Sequence, residues 1–210
     1  MQHRTSTDAL LRRGLRVEYA SLAWMTIEAA GAISAGILSG SLALVAFGGD
    51  SVIELLSSVA VLAHLRAENE NEGSEHETKR TEIATVLLLV SLIPAIGLGA
   101  AYAYFTGAKP ESSVLGITIA ACALVIMPAL WFEKRKIGKE AKCLPLTVDS
   151  SESATCFLMS AALLAGLLAN YLWKLWRIDY VATIIILILL AREAGESVKQ
   201  LRGERQKAMF

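Results

Sequence analysis

Six long apolar runs, separated by clusters of charged residues, constrain the fold of this sequence more than any other feature. The runs cover residues 17–39, 41–65, 83–106, 113–133, 144–169 and 178–194. A bilayer core is about 30 Å thick, and about 20 helical residues cross it. The runs are continuous rather than alternating, which is typical of transmembrane helices and not of barrel strands. The sequence therefore predicts an all-α, polytopic membrane protein built as a bundle of six transmembrane helices.

Lysine and arginine are sorted between the segments that flank these runs. Of the 20 basic residues, 17 lie in the amino-terminal arm, the second and fourth loops and the carboxy-terminal tail. Only Lys109, Lys174 and Arg177 lie on the opposite side. Because cytoplasmic segments carry the excess of Lys and Arg, both termini are predicted to be cytoplasmic. The predicted organisation is an arm at 1–16, a membrane domain at 17–194 and a tail at 195–210, in a multi-pass protein of the cell membrane (the inner membrane in a bacterium).

Other function classes find little support in the sequence. The net charge is zero and nothing predicts nucleic-acid recognition. No Ser-His-Asp set, phosphate loop or nucleotide motif is present, so an enzyme is not predicted. The three cysteines, Cys122, Cys143 and Cys156, show no CxxC spacing, and disulfides are not expected.

Ionisable residues interrupt the apolar runs. The stretch VAFGGDSVIELLSS (45–58) places Asp50 and Glu54 one helical turn apart within the second run, and Glu28 lies within the first. An ionisable group in the middle of a span costs about 2.5–3.5 kcal/mol on insertion scales, so such residues usually face the bundle interior and mark a pathway. A polar functional site inside the bundle is therefore predicted.

The depths of these residues predict a metal site. With a rise of about 1.5 Å per residue, Asp50 lies roughly 13 Å below the outer edge and Glu54 about 6 Å deeper. In the antiparallel fifth span, Glu152 becomes level with Glu54, and Cys156 becomes level with Asp50. A single carboxylate could simply bond to a neighbouring helix, and a single cysteine is usually a core residue. Two i,i+4 pairs at one depth instead favour a divalent-metal site of Asp50, Glu54, Glu152 and Cys156.

The second span resembles that of the cation diffusion facilitator family. The stretch SGSLALVAFGGDSVIELLSS is similar to the family pattern GSLALLADAxHxxxDLLSS at 40–44 and at 55–58. Asp50 falls on the family's His or Asp ligand, and Glu54 falls on its second carboxylate.

The fifth span repeats the resemblance more weakly. LTVDSSESATCFLMS resembles LxADAxHxxxD, with Asp149 on the first Asp, Glu152 on the His and Cys156 on the last Asp. Asp179 resembles the Asp-Pro that opens the family's sixth span, with Tyr180 in place of Pro. Glu28, Asp149 and Asp179 are predicted as additional transport or proton-relay residues.

The resemblance implies a six-span exporter, usually dimeric, that moves zinc, manganese, iron, cobalt or cadmium in exchange for protons. The partners expected are the lipid bilayer, a divalent cation, protons and a second copy of the chain, with no resident cofactor. Zinc is favoured because a thiolate suits it, although the oxygen donors also suit manganese and iron. The family's carboxy-terminal cytoplasmic domain is not expected within this sequence.

Two alternatives stay open on the sequence alone. The same carboxylates could line the pore of a cation or proton channel. The chain could also be a non-transporting membrane scaffold that retains a family-like site.

Overall fold

A computed structural model of the chain describes residues 2–70, 75–141 and 143–207. Within these residues all the regular secondary structure is helical, which confirms the predicted all-α class. The helices are α1 (Gln2–Ser39), α2 (Leu42–Glu70), α3 (Glu75–Phe105), α4 (Val114–Ala141), α5 (Leu144–Trp173) and α6 (Arg177–Lys207).

Five of these helices are long and apolar enough to cross a membrane. The segments are Arg12–Ser39, Leu42–Ala63, Ile83–Phe105, Val114–Ala141 and Pro145–Trp173. The apolar stretch of α6 is shorter, because Asp179 precedes it and Arg192 and Glu193 follow it. Even so, α6 packs against α2, α3 and α5. The polytopic helical bundle is confirmed, while a sixth span in α6 and the cytoplasmic position of the termini stay predictions.

The helices extend beyond the predicted spans at their charged ends. α1 begins within the predicted arm, α2 and α3 continue into the second loop as far as Glu70 and from Glu75, and α4 ends at Ala141 instead of residue 133. Hydropathy marks where apolar residues stop, whereas a helix continues as long as its backbone bonds form. Glu, Lys and Arg are good helix formers, so the helices continue past the apolar runs.

Local sequence sets the turn before α2 and the first turn of α5. Gly40 adopts a left-handed conformation (φ 68°) after α1, which glycine does without steric cost. Ser41 then caps α2, since its Oγ accepts a hydrogen bond from the N–H of Leu44 at 3.2 Å. Pro145 lies in the first turn of α5, where its missing N–H removes no helical bond.

α2 is the central helix and packs against α1, α3, α5 and α6. α4 packs against α1 and α5, so α1, α2, α4 and α5 form a four-helix group, and α3 and α6 pack against each other beside it. α1 and α2 approach very closely at Gly48, where an added Cβ would lie 2.7 Å from Ile33 Cγ1 and 2.9 Å from Ile33 N. Small residues allow this approach, which is common between membrane helices.

Lys134 lies in α4 and not in the predicted fourth loop, so that prediction was wrong. Its side chain is 0% exposed, and its Nζ is 2.5 Å from Asp149 Oδ2 and 3.6 Å from Glu18 Oε2. Ser58 Oγ donates a hydrogen bond to Asp149 Oδ1 at 3.1 Å. We call Glu18, Lys134 and Asp149 the charge triad. With Ser58, it joins all four helices of the group at the predicted cytoplasmic end.

The helical spacing of α4 explains why Lys134 points inward. Met127, Leu130 and Ile137 are buried along the same face, at steps of three and four residues that continue through Lys134. A buried cation is stable only when paired. Its two carboxylate partners come from α1 and α5, the two helices against which α4 packs.

We expect Lys134→Met to destabilise the protein by about 3–5 kcal/mol, because it leaves two buried carboxylates without their cation. Thermal unfolding in detergent measures this, with the exposed Lys136→Met of the same helix as control. The neutral triple variant Glu18→Gln/Lys134→Met/Asp149→Asn should recover much of the loss. Equal unfolding temperatures for Lys134→Met and Lys136→Met would contradict the role of the triad.

Candidate metal centre

Three side chains from α2 and α5 converge inside the bundle. Asp50 and Glu54 project from one face of α2, one turn apart, and Cys156 projects from α5. All three are buried, and one ligand atom from each lies within 4.8 Å of the others. We call these three residues the metal cluster. The structure thus brings together three of the four residues predicted as ligands.

The carboxylates of the metal cluster lack partners of their own. Neither oxygen of Asp50 nor either oxygen of Glu54 has a hydrogen-bond partner among the described residues. Buried polar atoms are nearly always satisfied, and an unsatisfied one costs free energy. Carboxylate oxygens and a thiolate are donors for transition-metal ions, whose tetrahedral ligand atoms lie about 3.3–3.5 Å apart. The arrangement can therefore hold a divalent cation after small side-chain rotations.

Glu28 of α1 borders the cluster. Its Oε1 accepts a hydrogen bond from Ser51 Oγ at 2.8 Å and lies 3.3 Å from Cys156 Sγ. Its side chain is buried, and its Oε2 has no partner among the described residues. The structure therefore places Glu28, predicted as an additional transport or proton-relay residue, against the metal cluster.

Glu152, the fourth predicted ligand, has a different environment. It is half-buried, accepts a hydrogen bond from Ser57, and lines a pocket between α5 and α6 together with Glu193 and Glu196. A step of four residues turns a helix by about 400°, so Glu152 lies about 40° around α5 from Cys156. Side chains that share a helix face by sequence spacing can therefore point towards different neighbouring helices.

The other two predicted relay residues lie away from the metal cluster. Asp149 belongs to the charge triad. Asp179 opens α6 at the opposite end of the bundle, where its Oδ1 accepts a hydrogen bond from Ser41 Oγ at 2.5 Å. It also accepts hydrogen bonds from the N–H groups of Leu42 and Ala43, so it stabilises the positive end of α2.

Three polar residues of the interior were missed by sequence reasoning. Glu18 and Lys134 belong to the charge triad together with Asp149, and Glu193 lines the pocket beside Glu152. Helical spacing was the signal that could have identified them. Glu18 lies seven residues before Met25, and Glu193 lies seven residues after Ile186, each on the buried side of its helix.

The fold and its interior define the class of protein: a polytopic helical membrane protein with acidic and sulfur side chains buried between its helices. Residues 19–202 match the cation efflux transmembrane domain. The chain therefore belongs to the cation efflux family, the cation diffusion facilitators that its second span resembles.

A curated relative agrees with this family. The chain is 22% identical over 196 residues to the manganese efflux system protein MneS of Bacillus subtilis (strain 168). The alignment covers 90% of this chain and 67% of the relative. The protein is a multi-pass cell-membrane protein of a metal-cation efflux family.

If Cys156 ligates the metal, the cadmium-loaded protein will show ultraviolet thiolate-to-cadmium charge transfer, because the thiolate is a direct donor. We expect Cys156→Ser to lose this absorption. Cys122→Ser should keep it, since Cys122 is exposed on α4 and outside the cluster. The absorption spectra of the three proteins, each loaded with cadmium, make the comparison. Absorption that survives in Cys156→Ser would remove Cys156 from the ligand set.

Proposed function

We propose that this protein exports a divalent transition-metal cation, with zinc favoured, in exchange for protons. The observation that carries the proposal is the metal cluster, in which two unpartnered carboxylates and a thiol meet inside a membrane bundle. Membership of the cation efflux family supports export as the direction.

The donor chemistry supports zinc without excluding manganese. A thiolate donor favours zinc or cadmium over magnesium and calcium, while carboxylates also accept manganese and iron. The relative MneS is named for manganese efflux, which supports manganese as the principal competitor. The relative rates at which the protein transports zinc and manganese decide between the two metals.

Exchange against protons follows from the chemistry of the ligands. Carboxylates and thiols bind metal in their deprotonated forms. Binding of the metal therefore displaces protons from the ligands, and protonation of the ligands releases the metal. The metal cluster can therefore couple the two movements without a separate relay. Each transport cycle would carry the metal in one direction and protons in the other.

The pocket between α5 and α6 supports a route to the metal cluster. Glu152, Glu193 and Glu196 line it, and it opens on the half of these helices that is predicted to be cytoplasmic. Clefts lined with carboxylates raise the local concentration of cations. In this proposal Glu152 draws the metal towards the cluster, which lies one helical turn further along α5.

We expect Asp50→Asn to abolish metal transport, because the amide cannot replace a carboxylate ligand. Zinc, manganese, cadmium, iron and cobalt are compared by uptake into proteoliposomes under a pH gradient. Glu111→Gln is the matched control, since it makes the same chemical change on an exposed residue. Saturable zinc transport that is lost only in Asp50→Asn would support the exporter.

Other results of the same assay separate the alternatives. Ohmic currents with weak dependence on the pH gradient would favour a channel. A wild-type protein that transports none of the metals would favour the scaffold. The mass of the protein in its detergent micelle tests the homodimer that the family resemblance implies.

Zinc affinity should fall as pH falls, because protons compete for Asp50, Glu54 and Cys156. Titration of purified protein with zinc at several pH values measures the dissociation constant, and buffers of different ionisation enthalpy count the protons released calorimetrically. We expect at least one proton to be released for each zinc ion bound. Affinity that does not change with pH would argue against exchange at this site.

A further inference from the structure

From the environment of the metal cluster, we infer that its fourth protein ligand is Glu28 of α1 and that Glu152 of α5 is not a ligand. This inference rests on the proposed function, since it completes the ligand set of the same site. It would make the site a junction of three helices, α1, α2 and α5, instead of two.

The distance between Glu28 and Cys156 is suitable for two ligands of one ion. Glu28 Oε1 lies 3.3 Å from Cys156 Sγ. Sulfur and oxygen ligands of a tetrahedral zinc ion, at about 2.3 and 2.0 Å from the metal, are about 3.5 Å apart. Two donors that already have this separation need little rearrangement to share a cation.

The second carboxylate oxygen of Glu28 has no well-aligned hydrogen-bond partner, and the neighbouring donor is the indole N–H of Trp24, one turn earlier in α1. Oε2 is buried without a hydrogen-bond partner among the described residues, as are both oxygens of Asp50 and of Glu54. Ser51, next to Asp50 in the chain, holds Oε1 from the α2 side. Glu28 is therefore anchored through one oxygen, with the other available to a cation.

The close packing of α1 on α2 brings Glu28 within reach. At Gly48 the α2 backbone lies so near Ile33 of α1 that no side chain fits. Gly48 is two residues before Asp50, and Ile33 is little more than one turn after Glu28. The glycine contact and the metal cluster thus occupy neighbouring levels of the same helix pair.

Glu152 shares the unpartnered second oxygen, since its Oε2 is also buried without a hydrogen-bond partner among the described residues, but its exposure and surroundings differ from those of Glu28. It is half-buried, it bonds with Ser57, and it faces the pocket between α5 and α6. Like Glu28, it is outside the group of three whose ligand atoms lie within 4.8 Å of one another. The distinction between the two glutamates therefore rests on the full burial of Glu28 and on the 3.3 Å between its Oε1 and Cys156 Sγ. A carboxylate in contact with a pocket can attract a cation, whereas Glu28 is enclosed with the other donors.

Replacement of each glutamate by histidine tests the assignment, because imidazole has a distinctive multiple-scattering pattern in zinc X-ray absorption spectra. The samples are the zinc-loaded full chain without a histidine tag, Glu28→His and Glu152→His. We expect the imidazole pattern to appear in Glu28→His and to be absent from Glu152→His and from the wild type. An imidazole pattern in Glu152→His, or its absence from zinc-loaded Glu28→His, would overturn the inference.

A second pair of variants applies if Glu28→His does not fold. Glu28→Gln should change the visible absorption of bound cobalt, because one oxygen ligand is lost or replaced, and Glu152→Gln should leave that spectrum as in the wild type. An unchanged spectrum in Glu28→Gln, or a changed one in Glu152→Gln, would overturn the inference. Failure of the proposed function is distinct from these results, since it would appear as a wild-type protein that binds neither zinc nor cobalt.

Discussion

The lysine buried between two carboxylates is the interaction on which the four-helix group depends. Lys134 lies 2.5 Å from Asp149 and 3.6 Å from Glu18, with no exposure of its side chain. A buried charge without a partner would cost several kcal/mol, so α1 and α5 cannot move away from α4 at this level without that penalty. Ser58 extends the same network to α2, one turn from Glu54. The position of the metal cluster is thus fixed by a charge network that contains none of its ligands.

The buried carboxylates fall into groups with different partners. Those of the charge triad have a lysine, and Asp179 has the amino-terminal end of α2. The carboxylates of Asp50 and Glu54 have no hydrogen-bond partner among the described residues. Protein structures rarely leave such groups unsatisfied unless a ligand completes them. The absence of protein partners for Asp50 and Glu54 therefore identifies the metal cluster better than the number of buried acidic residues does.

Much of the fold and part of the site could be predicted from the sequence. Hydropathy predicted the bundle. The rise per residue is the same in two antiparallel helices, so counting residues from the ends of the spans predicted that Asp50, Glu54 and Cys156 lie at similar depths. Depth says nothing about rotation, so the pocket-facing position of Glu152 was not foreseen. The sequence predicts Lys134 in a loop, because charged residues usually mark the end of a span. Only the packing of α1, α4 and α5 shows that its partners are inside.

The two ends of α6 are attached to the bundle by different forces. At its first turn, Asp179 accepts hydrogen bonds from Ser41 and from the backbone of α2. Towards the other end, α6 borders α5 across a pocket lined by carboxylates. Separation at the first turn would break several buried hydrogen bonds, whereas separation at the pocket would hydrate like-charged groups that repel each other and would expose Leu190 and Ala194. The fold consequently holds α6 by directional hydrogen bonds at one end and by apolar contacts beside mutually repelling carboxylates at the other, and the second end is the one beside the metal cluster.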